Sequence, residues 1–97
     1  MQEGQIYHQR YRVQHVLRHK AKVITSQVLD HKTGEMCFMK CLIFDAETQK
    51  ELYEGIYQQS LRLKYLEHPQ IAPLKEVFTE EDSQETKIYI VQEFIII

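Results

Sequence analysis

Three apolar segments near the start of the chain have the length and composition of β-strands. They are Tyr11–Leu17, Val23–Leu29 and Met36–Phe44. Partial alternation in the first segment and β-branched residues in the second favour half-buried strands. Gly34 can take a positive φ in the turn that precedes the third strand, whereas Arg18–Lys22 has no Gly or Pro to set a tight turn. We therefore predict an antiparallel meander.

A helical pattern follows the third strand. Apolar positions recur at steps of four, three, four and three residues, which predicts one inward stripe of an amphipathic helix. The stripe consists of Leu52, Ile56, Gln59, Leu63 and Leu66. Asp45 suits the N-cap, and Pro69 ends the helix because it restricts the conformation of His68.

Two more strands complete the predicted fold. They are Ile71–Phe78, where Pro73 allows only irregular or edge pairing, and Lys87–Phe94, with the acidic hairpin loop Thr79–Thr86 between them. The order βββαββ predicts an α+β fold, a five-stranded antiparallel sheet with one main helix. We assign residues 1–10 to an N-terminal extension and residues 11–97 to the one domain.

Composition and cysteine content narrow the class of protein. The chain has 97 residues, 43% of them hydrophobic, and its apolar runs are shorter than the ~18 residues of a membrane span. The N-terminus has no apolar signal core, and two cysteines make no disulfide framework, so we predict a cytoplasmic protein. Cys37 and Cys41 lie ~13 Å apart along one strand, too far to chelate one metal ion.

The formal net charge of −2 excludes a strongly basic nucleic-acid or membrane module. The charge is uneven, however, with seven basic and four acidic residues in positions 1–45, and five basic and ten acidic residues in positions 46–97. Two interpretations of the basic excess stay open, a phosphate-binding patch and a solvated strand-and-turn face. The residues concerned are Arg10, Arg12, Arg18, Lys20 and Lys22. We expect the histidines, His8, His15, His19, His31 and His68, to be surface or turn residues without metal-ligand spacing.

The order and spacing of these elements resemble the small N-terminal lobe of a protein kinase, from about Tyr11 to Phe94. The local matches are Thr33-Gly34-Glu35 before the third strand, Lys40 six residues after Gly34, the HPNIV-type turn within Leu61–Leu74, and Ile88–Phe94 leading into the hinge. In that family a Gly-rich loop approaches the ATP phosphates, a third-strand Lys contacts them, and a helix Glu pairs with this Lys.

The resemblance carries over residue by residue with substitutions at most positions. Lys40 matches the ATP-phosphate lysine, but the three loop glycines fall at Arg18, Lys20 and Val23, and the valine that follows the loop falls at Thr25. Phe38 takes the place of the small residue beside adenine.

The helix and hinge positions also depart from the family pattern. Gln59 stands at the C-helix Glu position, where it carries no charge to pair with Lys40. Gln92 takes the gatekeeper position, and Glu93 begins the hinge. The resemblance therefore implies a degenerate, pseudokinase-like nucleotide site.

These departures, and the lack of H-R-D and D-F-G patterns, predict a non-catalytic kinase-like lobe that acts as an interaction or scaffold element. We expect no productive cofactor and no metal site, and a protein partner or larger assembly that covers the apolar residues Phe94–Ile97. The alternative is the N-terminal fragment of a longer Ser/Thr-type kinase that binds Mg-ATP through Lys40. A small α+β domain that only mimics the lobe is a third interpretation.

Overall fold

The computed structural model of the chain describes residues 1–63 and 74–93. The elements are β1 (Ile6–Tyr7), β2 (Tyr11–Lys20), β3 (Val23–Asp30), β4 (Met36–Asp45), α1 (Lys50–Leu63), β5 (Leu74–Glu81) and β6 (Glu85–Glu93). The strands form one antiparallel sheet in the order β1-β2-β3-β4-β6-β5. The predicted α+β class is confirmed, but the sheet has six strands instead of five because Ile6–Tyr7 pairs with the start of β2.

Two hairpins are tighter than the sequence predicts. β2 continues to Lys20, so the turn to β3 is only Ala21-Lys22, with Ala21 in the left-handed region at φ 53°. β5 and β6 likewise extend into the predicted loop Thr79–Thr86. The closing turn is fixed by Asp82, whose Oδ1 accepts hydrogen bonds from the N–H groups of Gln84 at 2.7 Å and Glu85 at 2.8 Å.

The main core fills the inside of the curled sheet. Alternate residues of β3 and β4 face it, as the period of two in a strand requires. Its buried members are Tyr11, Val13, Ile24, Val28, Cys37, Met39, Cys41, Phe78, Tyr89 and Val91. The rings of Tyr11 and Phe78 stack at 6.0 Å, which brings β2 close to β5 although the two strands are far apart in the sheet order.

Residues of the segment that precedes β2 pack against this core. Met1 and Tyr7 contact it, and the ring of Tyr7 lies 5.3 Å from that of Tyr89. Backbone hydrogen bonds also join Gly4 and Gln5 to Val13. Residues 1–10 are therefore attached to the sheet through both side chains and backbone.

The helix α1 covers part of the outer face of the sheet through its aromatic residues. Tyr53 is buried, its ring meets Phe44 edge-on at 5.8 Å, and its hydroxyl donates to Glu81 at 3.1 Å. Ser60 is also buried and donates to the Ile56 carbonyl at 2.8 Å.

The predicted inward stripe is correct at Ile56, which packs against the helix-side core, and wrong at Leu52 and Gln59. Leu52 is 53% exposed and Gln59 is exposed, whereas Tyr53 and Ser60 are buried, so the inward side is turned by about one residue, ~100°. Tyr53 decides the rotation because a buried aromatic ring removes more surface from water than a leucine does. The side chain of Leu63 and the residue Leu66, the last two members of the predicted stripe, lie outside what the structure describes.

Asp45 caps the turn that leads into α1. Its Oδ1 accepts hydrogen bonds from the N–H groups of Glu47 at 3.0 Å and Thr48 at 2.9 Å, and Gln49 Oε1 accepts from the Asp45 N–H at 2.7 Å. These bonds from the Thr48 and Glu47 backbone lower the pKa of Asp45. Asp45 therefore caps the turn before the helix, and the predicted N-cap position is wrong because α1 itself begins at Lys50.

The predicted helix end at His68-Pro69, the effect of Pro73 and the C-terminal residues Phe94–Ile97 lie outside the described residues. Within residues 1–63 and 74–93, no helix has the length and apolar character needed to cross a membrane.

Candidate functional site

The strand register brings three of the predicted site residues into one row on the outer face of the sheet. Lys40 on β4 pairs with Thr25 on β3, and Thr25 pairs with Arg18 on β2. Directly paired residues of antiparallel strands point to the same face. The row continues on β6 with Ile90, which packs around the helix-side core.

The register of β2 places Arg18 in this row. The strand has two irregularities, one between Val13 and His15 and one between Val16 and Arg18. Val13 and Val16 pair with the inward residues Val28 and Ser26, whereas Arg18 pairs with Thr25. The two irregularities compensate each other, so Arg18 lies on the face opposite Val13 and shares it with Thr25 and Lys40.

These side chains line an open cleft. Its volume is about 270 Å³, and its lining consists of Arg18, Lys20, Val23, Thr25 and Lys40. In the part of the chain that the structure describes, no carboxylate lies within salt-bridge distance of Arg18, Lys20 or Lys40. Lys22 differs, because its Nζ lies 3.8 Å from Glu85 Oε1. The cleft thus carries three cations that have no counter-ion in residues 1–63 and 74–93, and anions are the ligands that such a cluster favours.

Phe38 belongs to the neighbouring row on the same face. It pairs with Gln27 on β3 and with Gln92 on β6, and its side chain is half-buried. The predicted alternation is thus confirmed, because Phe38 and Lys40 share the outer face while Cys37, Met39 and Cys41 are buried on the other. Gln92 is half-buried, and Glu93 is exposed opposite Cys37 at the end of β6.

Gln59 does not join this group of residues. It is exposed on α1, Lys40 is exposed on β4, and no hydrogen bond links the two side chains. The predicted inward orientation of Gln59 is wrong because Tyr53 and Ser60 occupy the buried side of the helix. The lysine–helix pair that the kinase resemblance implies is therefore not formed.

A second charged cluster lies at the opposite end of β2 and β3, around the fully buried Asp30. The Arg10 guanidinium binds both carboxylate oxygens of Asp30, at 2.8 and 2.7 Å, and Lys75 Nζ lies 2.6 Å from Oδ2. The Lys32 N–H adds a fourth bond at 2.9 Å. The hydrogen bond from Arg10, assisted by those from Lys75 and Lys32, holds the pKa of Asp30 well below its usual range.

Glu76 extends this cluster toward the N-terminal turn. It accepts a hydrogen bond from the Tyr11 hydroxyl, lies 3.5 Å from Arg10 Nη1, and has His8 Nε2 at 3.1 Å from its Oε1. The His8 ring stacks on Phe78 at 4.4 Å. Burial, followed by the bond to Glu76, raises the pKa of Tyr11. The charged side chains of the Asp30–Glu76 cluster pair with one another, and these contacts attach the N-terminal turn to β5.

The remaining candidates that the structure describes are the two cysteines and four of the histidines. Cys37 and Cys41 are buried free thiols, and burial raises the pKa of both, which disfavours the reactive thiolate. No group of three or more potential metal ligands occurs among the residues that the structure describes. His8, His15, His19 and His31 are exposed as predicted, and His68 lies outside the described residues.

Comparison with known proteins gives a fold but no sequence family. No family model and no curated protein matches the chain. A crystal structure of Rad53 residues 1–466 in complex with AMP-PNP matches with a TM-score of 0.63 at 22% sequence identity. The match covers 89% of this chain and 21% of the Rad53 chain, so the chain spans about a fifth of that kinase structure. The curled antiparallel sheet with one helix is thus the fold of a protein kinase N-terminal lobe.

Proposed function

We propose that the chain is a kinase-like small lobe that acts as a protein-interaction element and does not hold ATP in the manner of protein kinases. The observation that carries the proposal is the position of Phe38. It stands on the same face as Lys40, two residues away, where the kinase resemblance requires a small residue beside adenine. A ligand forced against a packed aromatic side chain costs roughly 1–3 kcal/mol, as in an overpacked core.

The phosphate side of the site supports the same proposal. The turn between β2 and β3 contains Ala21 and Lys22, and the loop-glycine positions hold Arg18, Lys20 and Val23. Side chains at those positions keep the backbone N–H groups away from a phosphate, which the glycines of a kinase loop allow to approach closely. Gln59 at the helix position is uncharged and exposed, so the residue that stands in place of the kinase glutamate offers Lys40 no carboxylate.

An interaction role agrees with what the hairpin exposes. Val16, Leu17 and Val23 are 36, 52 and 37% exposed, and all three belong to the two strands that flank the turn between β2 and β3. Exposed apolar side chains are available to the surface of a partner protein. The proposal includes a protein partner or larger assembly in the cytoplasm, which also covers Phe94–Ile97, and it includes neither a nucleic acid nor a membrane.

The test is a calorimetric and thermal-shift titration of the full chain with Mg-ATP. We expect no saturable binding by the wild type in the micromolar range, and a gain of at least about tenfold for Phe38→Ala, which corresponds to ~1.4 kcal/mol. Leu42→Ala is the matched control, since it truncates an apolar residue on the same face of β4, on the other side of Lys40. Micromolar Mg-ATP affinity in the wild type, well above the affinity for tripolyphosphate, would contradict the proposal.

A second candidate is the N-terminal part of a longer Ser/Thr-type protein kinase. Lys40 on the cleft face favours it, and so does the match to a kinase structure that contains AMP-PNP and of which this chain covers 21%. In this case the large lobe supplies the base and the metal ligands. The coding sequence downstream of Ile97 decides between the two. H-R-D and D-F-G patterns in frame support the kinase, and a stop codon supports the interaction element.

A further inference from the structure

The open cleft beside the hairpin turn has the charge and the donors of a phosphate site built from side chains. We propose that Arg18, Lys20, Thr25 and Lys40 bind the phosphorylated serine or threonine of an extended segment of a partner protein. This inference rests on the proposed function as an interaction element and names the chemistry of the partner.

The first argument is the lack of counter-ions. Of the cations at the two ends of β2 and β3, Arg10, Lys75 and Lys22 all have a carboxylate within 4 Å. Arg18, Lys20 and Lys40 have none among the described residues, although they line the same cleft. Like charges gathered in one cleft repel each other, and a dianion there removes that repulsion.

The second argument is the register that gathers the cluster on one face. The two irregularities of β2, between Val13 and His15 and between Val16 and Arg18, interrupt the ladder and leave Leu17 52% exposed, but Arg18 still pairs with Thr25 on the face of Lys40. Two residues further along, Lys20 pairs with Val23 on that same face. The three cations therefore share the outer face of the sheet.

The third argument is the fit between the donors and a phosphate monoester. Arg18 offers a planar fork for two phosphate oxygens, and Lys20 and Lys40 offer ammonium groups. Thr25, which stands between Arg18 and Lys40 in the row, offers a hydroxyl. A phosphomonoester carries about −1.5 to −2 charges at pH 7, which three cations can balance. The cleft volume of about 270 Å³ is below the ~300–1,000 Å³ typical of small-molecule pockets, which favours a phosphoryl group over a whole nucleotide.

The fourth argument concerns what lies around the cleft. On one side Phe38 lies in the neighbouring row of the same face and is half-buried. On the other side Leu17 and Val23 are exposed, and β2 beyond Val13 has no strand on its outer edge within the described part of the chain. Apolar side chains beside the phosphate site suit the residues that flank a phosphorylated side chain.

The experiment uses the full chain and a degenerate library of phosphoserine and phosphothreonine peptides, each paired with its unphosphorylated form. Tripolyphosphate and Mg-ATP are titrated in parallel by calorimetry. We expect selected phosphopeptides to bind, with an affinity that falls steeply between low and high salt. Arg18→Ala is expected to weaken binding at least about tenfold, and Arg18→Glu to abolish it.

Arg12→Ala is the matched control. Arg12 is an exposed arginine of the same strand, but it pairs with Leu29 at the far end and does not line the cleft. We expect its removal to change phosphopeptide affinity by less than about twofold. Circular dichroism melts of every variant verify that the fold is retained.

The outcomes separate the two proposals. Equal binding of phosphorylated and unphosphorylated peptides, or equal losses in Arg12→Ala and Arg18→Ala, overturns the phosphate site while the interaction element stands. Mg-ATP that binds in the micromolar range and far more tightly than tripolyphosphate instead overturns the proposed function, because the gain then comes from the adenosine.

Discussion

The two charged regions at opposite ends of β2 and β3 contain the same types of basic side chain but differ in whether those side chains have acidic partners. In the Asp30–Glu76 cluster, Arg10 and Lys75 are neutralised by two acidic residues, and Asp30 is fully buried. In the cleft, Arg18, Lys20 and Lys40 are exposed and have no acidic partner in residues 1–63 and 74–93. A cation in this fold is therefore structural where it is paired and buried, and it is available for a ligand where it is exposed and unpaired.

The physical reason lies in the energy of burial. A carboxylate removed from water is tolerated only when hydrogen bonds and opposite charges replace the lost hydration. Asp30 has both, from Arg10, Lys75 and the Lys32 N–H. Exposed cations need no such compensation because water solvates them. They can therefore occupy positions that suit a ligand.

The largest effect that the comparison predicts is the loss of Asp30. Asp30→Ala leaves Arg10 and Lys75 without their shared partner in a part-buried site. We expect the free energy of unfolding to fall by about 3–5 kcal/mol, as on breaking a buried ion pair. Urea denaturation followed by circular dichroism measures the change.

A variant of the same shape keeps this prediction testable if Asp30→Ala does not fold. Asp30→Asn preserves the size of the side chain and removes its charge, so it is expected to lose less stability than Asp30→Ala. A loss below about 1 kcal/mol in both variants, the range of an exposed pair, would break the contrast between the two regions.

The second-largest effect is the pH dependence of the stability that Asp30 contributes, which an acid titration measures. The pKa of Asp30 is lower in the folded chain than in the unfolded chain, where it is ~3.9. Its contribution is therefore complete above pH ~4 and declines as the pH falls toward the folded pKa, because only the unfolded state then takes up the proton. Below pH ~3.5 the wild type should lose up to ~1.4 kcal/mol per pH unit more than Asp30→Asn. Parallel stability curves for the two proteins from pH 6 to pH 2.5, in urea titrations at constant ionic strength, would contradict this assignment.

The elements that the sequence predicts correctly are those in which one face is wholly buried. In β3 the residues Ile24, Ser26 and Val28 are buried and their neighbours are less so, and β4 repeats the pattern at Cys37, Met39 and Cys41. Period-two alternation expresses this burial directly. β1 has only two residues, too few for any period. The spacing of the leucines does not predict the rotation of the helix, because Tyr53 is buried and Leu52 is exposed.

The candidate site was predictable in its members but not in its geometry. The kinase resemblance names the positions Arg18, Thr25 and Lys40, and only the strand register shows that they form one row. The register irregularity before Arg18 has no signature in the sequence. The Asp30–Glu76 cluster was missed because Lys75 and Glu76 reach Asp30 and Arg10 only through the curl of the sheet. Such contacts depend on the tertiary fold rather than on local pattern.

A smaller effect concerns the backbone that holds His8 against Glu76. His8 and Gln9 have φ of 55° and 54°, and the Arg10 N–H donates to the Tyr7 carbonyl at 3.1 Å, the geometry of a type I′ turn. Gln9→Gly removes the left-handed strain of a side chain and is expected to stabilise the chain by about 0.5–1 kcal/mol, after the larger unfolded-state entropy of glycine is subtracted. Gln27→Gly, in the regular part of the strand β3 between His15 and Phe38, is the control and is expected to destabilise. Thermal melts that rank the two variants in the reverse order would show that this turn is not strained.

The smallest effect is expected in the cleft, and it completes the comparison. Arg18→Ala, Lys20→Ala and Lys40→Ala should each change the free energy of unfolding by less than about 0.5 kcal/mol, since none of these side chains has an ionic partner among the described residues. The triple variant should be slightly more stable than the wild type at low salt, because repulsion between like charges is removed, and this gain should vanish in high salt. Arg10→Ala, the matched loss of a paired arginine, should cost several times more in the same urea titrations. A cleft variant that destabilises the chain as much as Arg10→Ala would show that the three cations serve the fold and would remove the physical basis for a ligand site there.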